Sequence, residues 1–546
     1  MVSHIEAAEN SGFQSDRGIA SYWLIEGTAL LCILGLAGYL RLAGPETNLS
    51  WYTDEGTHVE IAKHLAQGRT QYMVVNDSTL LFAKLPLFEL LLAGLFRVMS
   101  VDINTLRLLT GLLGILTVVA LFCAVRSMIR DPSLALGSAL LLAIYPDAII
   151  YSRFGFSYNL LAPLVVGVLL GLWHFLGNTC DAKMRQAWLG MAALSIGMGG
   201  ISDLWMFALV APFALIVITK DWRAFAGAFV IIVLPFVVYA GVSYWAAPEA
   251  FIFDLGYTAS RLSGRDIIQQ VTMLARNGQV LFTQDPWVVL AIIGFFVYPV
   301  SRIRALGLLL LLSPIIVIGR TEALYHLSAY YMIPLLPLIS LGVACLLRVG
   351  IPWVWRLLHE EISNWIDSTR LLSEGRLWTK VSDIAGGTVA CLLLIMLTVP
   401  IFMVNTGGMV DQISNEIRTE IDPFLVDAAD ARNAIRFINR HLEPTDLVIA
   451  SPSIAWAIDS HVADFQMVAA AQGIASSHLP ANVPSSRFLI TPSYANARFI
   501  IVDNTWHRWA IYHVPGVREV LTELSTRNPI FESGEIAVYD NPDKAS

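Results

Sequence analysis

The sequence predicts a mainly α-helical, polytopic membrane protein with a small extracytoplasmic α/β domain at its C-terminal end. Three observations predict it. Of 546 residues, 56% are hydrophobic and only 14% charged, and mean hydropathy is +0.62, whereas a soluble globule carries about 25% charged residues. Apolar runs of about 17–25 residues, long enough to cross a bilayer, recur from Tyr22 to Val404. Beyond Val404 the apolar fraction falls and short strand and helix patterns replace the long runs.

The spans are read in order. They lie near Tyr22–Leu42, Leu106–Val125, Leu134–Ile150, Leu160–Leu176, Ala187–Ile201, Leu204–Ile218, Phe225–Tyr244, Trp287–Val300, Ala305–Ile318, Leu324–Leu347 and Ile384–Val404, about eleven in all. The run Leu80–Met99 is apolar too, but it contains Lys84, Pro86, Glu89 and Arg97. It is expected to lie in the interface as an amphipathic helix. Charge supports that choice. With this run left out, Arg126 and Arg130, Lys183 and Arg185, Lys220 and Arg223, Arg302 and Arg304, and the linker from Arg348 to Lys380 all fall on one side. Basic turns mark the cytoplasmic side, so the N-terminus is expected inside and the C-terminal domain outside, in the cell inner (plasma) membrane.

This topology divides the chain into a transmembrane domain, residues 1–404, and an extracytoplasmic domain, residues 405–546. The outer face receives a long first loop at 43–104, a short second loop at 145–159, a third from Trp245 to about Pro286, and the entry to Tyr325–Pro337. In the tail, Asp427–His441 and Val514–Arg527 have helical periodicity, while Asp446–Ala450, Ala497–Val502 and Glu535–Tyr539 read as strands. The polar, mixed-charge N-terminus does not read as a cleaved signal peptide. Net charge is −8 and no basic face is apparent to meet phosphates, so no nucleic-acid partner is expected. The cysteines, Cys32, Cys123, Cys180, Cys345 and Cys391, form no CxxC or Cys/His cluster, so neither a disulfide framework nor a zinc site is expected.

The chemistry gathers on the outer face. Asp54-Glu55 follows the first span in Trp51-Tyr52-Thr53-Asp54-Glu55-Gly56. Adjacent carboxylates at a bilayer surface repel and are poorly solvated. They suit general-base work on an acceptor hydroxyl; as plain structure, they cap a helix. Lys84, in Lys84-Leu85-Pro86-Leu87, can bind a lipid phosphate as a point charge or simply snorkel. In the second loop, Arg153 can contact a phosphate or pair with Asp147, and Tyr158 and Asn159 can line a sugar pocket. Arg261 and Arg265, four apart, can clamp an anion on one helix face unless Asp266 neutralises them. Arg320, His326, Tyr330 and Tyr331 put a cation, an imidazole and phenols at the mouth of a span. An aromatic belt explains the tyrosines alone. His174 and Asp203 are weaker signals.

Together these segments resemble the GT-C class of membrane glycosyltransferases, and within it the protein O-mannosyltransferase and lipid A aminoarabinose transferase group. The likeness rests on the acidic pair Asp54-Glu55, the degenerate Lys84-Leu85-Pro86-Leu87, Leu106-Arg107-Leu108-Leu109 opening a span, and Tyr330-Tyr331-Met332-Ile333-Pro334-Leu335-Leu336-Pro337. It covers roughly Trp51 to Pro337 by pattern. There are two departures. The family's Pro-Pro is Leu85-Pro86 here, and the aspartate that often follows the second-loop arginine is replaced by Tyr158 or Asn159. The second departure argues against a divalent metal, since hard cations prefer several carboxylates. No cofactor is expected.

The resemblance implies an inverting glycosyltransferase, a hexosyl or pentosyl transferase. Its donor would be a polyprenyl-phosphate-linked sugar in the outer leaflet, and its acceptor a hydroxyl on a glycan, lipid or protein of the cell envelope. Asp54 would be the base, Glu55 would orient the acceptor or raise the pKa of Asp54, and Lys84, Arg153, Arg320 or a third-loop arginine would hold the phosphate. Asp147, Tyr158, Asn159, His326, Tyr330 and Tyr331 would line the sugar or acceptor pocket. A polytopic transporter and a lipid-linked glycan ligase or polymerase are the alternatives.

Overall fold

The computed structural model describes residues 16–43, 50–78, 84–177, 181–262, 266–324, 326–368, 422–476 and 478–541. Among them, six helices are long and apolar enough to cross a membrane: Leu24–Leu42, Ile103–Ile129, Tyr158–Leu176, Trp222–Ala246, Ser301–Gly319 and Ala329–Trp353. Two bent pairs raise the number to as many as eight if each is one span. They are Pro132–Ile144 with Pro146–Arg153, bent by 53°, and Ile267–Thr283 with Pro286–Val297, bent by 90°. Proline explains both breaks. Pro146 and Pro286 each open a new helix, where the missing N–H costs no hydrogen bond. Asp285 caps the second by accepting from the Trp287 amide at 3.2 Å. The eleventh run expected from the sequence, Ile384–Val404, and the domain boundary at 404/405 lie outside the described residues. Ala182–Gly200 has the length of a span but is not among the six. The run read as Leu204–Ile218 opens with a 3-10 turn, Leu204–Leu209, before its α-helix Val210–Lys220.

The apolar run at 80–99 forms the helix Pro86–Phe96, 11 residues. At about 1.5 Å per residue it is too short to cross a bilayer. The remaining helices pack through close backbone contacts. A Cβ at Gly294 would sit 1.9 Å from the Gly342 carbonyl oxygen, so small residues here let the Pro286–Val297 and Leu336–Ser368 helices touch. The Trp222–Ala246 helix exposes Phe229, Val230, Leu234, Val237, Val238 and Val242, an apolar face of the kind a bilayer covers.

The basic turns meet at one end of the bundle. Ser127 lies 3.0 Å from His174, the Lys220 ammonium donates to Phe175 O at 2.9 Å, Arg302 stacks over Trp173, and Arg348 pairs with Asp131 at 2.8 Å. The Ile103–Ile129 helix carries Arg126 at this end and Arg107 near the other, about 28 Å apart along its axis.

At that other end sits the C-terminal domain. Seven short strands are described: β1 (Ser50–Tyr52), β2 (Leu425–Asp427), β3 (Leu447–Ile449), β4 (His461–Ala463), β5 (Phe499–Val502), β6 (Phe531–Ser533) and β7 (Ile536–Asp540). Five form a mixed sheet in the order β4-β3-β5-β7-β6. β3 is parallel to β4 and β5, while β7 is antiparallel to β5 and β6. The helices Ala428–Asn439 and Val517–Leu524 and the strands β3, β5 and β7 fall where the sequence pattern puts them. β4 and β6 were not read from it.

The first loop is stitched to this domain. β1 pairs antiparallel with β2, with Trp51 opposite Val426. Trp51 also packs edge-on against Trp456, with ring centroids 5.3 Å apart. The Thr53–Ala66 helix lies against the Pro452 turn so closely that a Cβ at Gly56 would meet Pro452 O at 1.9 Å. Val59, Tyr72 and Phe88 from the loop share one buried core with Ile435, Val448, Phe465 and Trp506.

Candidate active site

The site is built on the N-terminus of the Thr53–Ala66 helix. Glu55 sits in its first turn and reaches back, accepting from the Tyr52 amide at 3.0 Å. The same carboxylate takes a two-pronged bond from Arg107, Nε to Oε1 and Nη2 to Oε2, each 2.7 Å. It also accepts from the Gly155 amide at 2.9 Å. Arg107 further donates to Ser50 O at 2.7 Å. Glu55 is fully buried, and its charge is matched by a guanidinium whose fork fits a carboxylate. The structure therefore departs from the role expected for Glu55. It neither faces an acceptor nor presents an uncompensated charge to Asp54; it locks the first loop to the second.

Asp54 is on the other face. It lines a cavity of about 690 Å³ together with Lys84, Tyr158, Asp203, Arg320, Glu322, Tyr330 and Tyr331. The Lys84 ammonium is 3.7 Å from Asp54 Oδ1. Both side chains are partly exposed, so each can exchange its partner for a ligand. Lys84 stands just ahead of the Pro86–Phe96 helix, where Pro86 at the first helical position fixes the entry. Arg320 caps the end of the Ser301–Gly319 helix.

Aromatic rings make one wall. Tyr330 stacks on Tyr158 at 5.5 Å and on Phe156 at 5.1 Å, and Tyr331 meets Tyr158 edge-on. These contacts join the second loop to the 3-10 segment His326–Leu335. Trp205 fixes that segment by donating to Tyr331 O at 3.0 Å. Asp203 caps the turn before Trp205. Burial pushes its carboxyl up, while the Trp205 amide and nearby Lys84 act the other way.

Several expected residues do not reach the cavity. Arg153 is buried and donates to Leu40 O at 3.1 Å and Ala43 O at 2.9 Å, which ties the second loop to the end of the first span. Asn159 uses its amide on Tyr151 O and Phe156 O, shaping the turn before its helix. Asp147 lies in the Pro146–Arg153 helix, away from the cavity walls. Arg261 closes the helix Pro248–Leu262; its side chain, Arg265 and the His326 side chain lie outside the described residues. No group of three or more His, Cys, Asp or Glu suited to a metal ion occurs among the described residues.

The C-terminal domain supplies cavity residues that the sequence reading missed. Tyr72 of the first loop and Asp464, Gln466, His478 and Trp509 of the tail complete the walls. Asp464 caps the helix Phe465–Ala471, accepting from the Met467 amide at 2.7 Å. Burial, only partly offset by such amides, pushes its carboxyl up to about 6. The available signal was its place just after a strand, but β4, His461-Val462-Ala463, lacks the unbroken apolar run that marks the equally short β3.

No family model matches the chain, and no curated protein does. Solved structures do match. ArnT from Cupriavidus metallidurans in the apo state has a TM-score of 0.58 at 15% identity, with 95% of this chain and 98% of that chain covered. The same protein bound to undecaprenyl phosphate gives 0.54 at 14%, covering 95% and 97%. The apo oligosaccharyltransferase from Archaeoglobus fulgidus gives 0.53 at 11%, covering 88% and 69%. At such identities the likeness is one of fold, and it runs through both the helical bundle and the C-terminal domain. The chain has the fold of the GT-C membrane glycosyltransferases.

Proposed function

We propose that this protein is an inverting glycosyltransferase that moves a sugar from a polyprenyl-phosphate-linked donor to an acceptor hydroxyl at the outer membrane surface. One observation carries the reading. Within a single cavity, a carboxylate that can still change partners stands beside a cation: Asp54 next to Lys84, with Arg320 also among the lining residues. The structural neighbour from Cupriavidus metallidurans binds undecaprenyl phosphate, an anionic lipid head of the kind such cations suit. The basic turns lie across the bundle from this cavity, which supports an outer-face site with a cytoplasmic N-terminus.

The chemistry balances in one displacement. Asp54 takes the proton as the acceptor oxygen bonds to the anomeric carbon, and the bond from that carbon to the phosphate oxygen breaks. Polyprenyl phosphate leaves, and a single in-line attack inverts the anomeric centre. Negative charge grows on the leaving phosphate, so Lys84 and Arg320 favour the transition state over the ground state. Tyr158, Tyr330 and Tyr331 line the sugar. Glu55 acts only through position.

The test is Asp54→Asn in membranes supplied with a lipid-linked sugar. General-base loss lowers turnover by about 100- to 10,000-fold while the protein accumulates normally. Turnover equal to the parent removes the assignment.

A further inference from the structure

The cavity has two walls of different character. Its lysine and arginine, Lys84 and Arg320, come from the segments next to the membrane helices, together with Asp203, Glu322 and the stacked tyrosines. The opposite wall comes from the first-loop helix and the C-terminal domain. Among the described lining residues, that wall holds no lysine or arginine.

Sheet topology makes this second wall. β3, β4 and β5 are parallel, and β3, first of them in sequence, lies between the other two. Such a reversal of winding opens a crevice beyond the carboxyl ends of the strands, where open α/β sheets receive ligands. Residues that follow each of these strands reach the cavity: Pro452 after β3, Asp464 after β4 and Thr505 after β5. The sheet thus turns its ligand-receiving edge toward Asp54.

The polar groups there form a connected set. Gln466 Oε1 accepts from Ser476 Oγ at 3.1 Å and faces His478 Nδ1 at 3.3 Å. An amide oxygen only accepts, so His478 donates at Nδ1. Tyr72 bridges toward the base, with its hydroxyl 3.3 Å from Thr57 Oγ1 on the helix that carries Asp54. Burial, with the charge of Asp464 next, holds the Tyr72 phenol well above its ordinary pKa, so it stays a neutral hydroxyl. Carboxylate, amide and phenol together accept from and donate to hydroxyl groups. A phosphate placed against Asp464 would instead bring two anions together in a weakly solvated space.

We infer that Tyr72, Asp464 and Gln466 form the acceptor subsite, and that the acceptor is an uncharged saccharide rather than a phosphorylated compound. This rests on the reading of Asp54 as the base. The donor phosphate takes the wall that carries Lys84 and Arg320, which leaves the wall of Asp464, where no lysine or arginine stands, for a neutral polyol.

The experiment uses the full chain in lipid nanodiscs. Binding is measured for undecaprenyl phosphate, for a panel of neutral disaccharides and for the same disaccharides carrying a phosphomonoester. Neutral sugars are expected to bind the parent protein better than their phosphates. Asp464→Asn and Gln466→Ala should each weaken neutral-sugar binding, the first by about 10-fold or more, as loss of a hydrogen bond to a charged group does. Undecaprenyl phosphate binding should stay within about twofold in both, since neither side chain belongs to the wall that carries Lys84 and Arg320. The inference is overturned if phosphorylated sugars bind better, if no sugar binds, if both variants bind neutral sugars like the parent, or if both lose undecaprenyl phosphate as well. Failure of the donor reading looks different: the parent protein then does not bind undecaprenyl phosphate at all. Thermal melting of both variants guards against a folding defect, and Gln466→Ala keeps the test standing if Asp464→Asn does not fold.

Discussion

Successive residues of a helix leave its axis about 100° apart, and that angle separates Asp54 from Glu55. One enters the cavity beside Lys84; the other enters a buried cage of Arg107, Tyr52 and Gly155. Substitutions at the two positions should therefore fail differently. Asp54→Asn loses transfer with its melting temperature unchanged. Glu55→Gln leaves Arg107 buried against a weaker partner, and breaking a buried pair costs about 3–5 kcal/mol. Its expected signature is a lowered melting temperature of the detergent-solubilised protein, with activity falling in step with the folded fraction. A Glu55→Gln protein that melts like the parent yet transfers no sugar would put Glu55 back among the reacting groups. Lys84→Ala separates the substrates: donor KM rises, because a phosphate loses its point charge, while acceptor KM holds. Equal rises in both would count against phosphate binding. The sequence located the acidic pair because adjacent carboxylates at a membrane edge are costly. It did not tell which one faces the cavity, since that depends on Arg107, 52 residues away. Arg153 and Asn159 misled for a related reason. Each has the chemistry to meet a ligand, and each spends it on backbone carbonyls that only the folded loop brings near.

Among elements, the Thr53–Ala66 helix and the C-terminal sheet depend on each other. Gly56 touches the Pro452 carbonyl, with no room for a side chain. Gly56→Leu forces two backbones apart, at the roughly 1–3 kcal/mol typical of overpacking or more, and shifts Asp54 with them. Sugar transfer and melting temperature should fall together, while Gly27→Leu, where a Cβ meets nothing within 4 Å, leaves both intact. The sheet carries its own pH dependence. Asp503, fully buried beyond β5, is pushed from 3.8 to about 6 by burial, though Ser451 and backbone amides pull it down. A raised carboxyl binds its proton more tightly folded than unfolded. Its stabilising contribution is complete below about pH 4 and is lost as pH rises to about 6. The loss amounts to about 3 kcal/mol. The stability difference between Asp503→Asn and the parent should therefore move in favour of the variant by that amount across this window. A difference that stays flat with pH would mean that Asp503 is not shifted. Elements with a full period, such as Ala428–Asn439, β5 and β7, were legible in the sequence. β3, β4 and β6 are all three residues long. β3 was legible because Leu447-Val448-Ile449 is an unbroken apolar run, whereas β4 and β6 mix polar and apolar residues over too short a stretch to show a pattern. Missing β4 hid Asp464, which follows it.

At the scale of the whole molecule, the bundle was legible because bilayer thickness imposes a length on every span, and the basic turns ordered those spans. What joins bundle to C-terminal domain was not legible, since it rests on contacts between segments far apart in sequence: the β1–β2 pairing, a shared apolar core and polar clamps. One such clamp is Arg487. Its guanidinium holds Asp254 through both nitrogens at 3.1 and 3.3 Å, and also donates to Asn76 O and Asp77 O. Asp254 is fully buried and Arg487 nearly so. One side chain thus ties the C-terminal domain to both the first loop and the Pro248–Leu262 helix. Arg487→Met leaves the Asp254 carboxylate buried and unpaired by this cation, at a cost of about 3–5 kcal/mol, whereas Asp254→Asn with Arg487→Met removes both charges. The pair should therefore be non-additive: the double variant is more stable than the sum of the two single losses. Because the C-terminal domain supplies one wall of the cavity, loosening it should expose its linkages before the bundle melts. Limited proteolysis of Arg487→Met in nanodiscs is expected to release the C-terminal domain while the membrane portion stays resistant, with sugar transfer lost at the same rate as the cut. If the domain is released and transfer continues unchanged, the active cavity does not need that wall. If the single and double variants are simply additive, Arg487 and Asp254 do not act as a clamp.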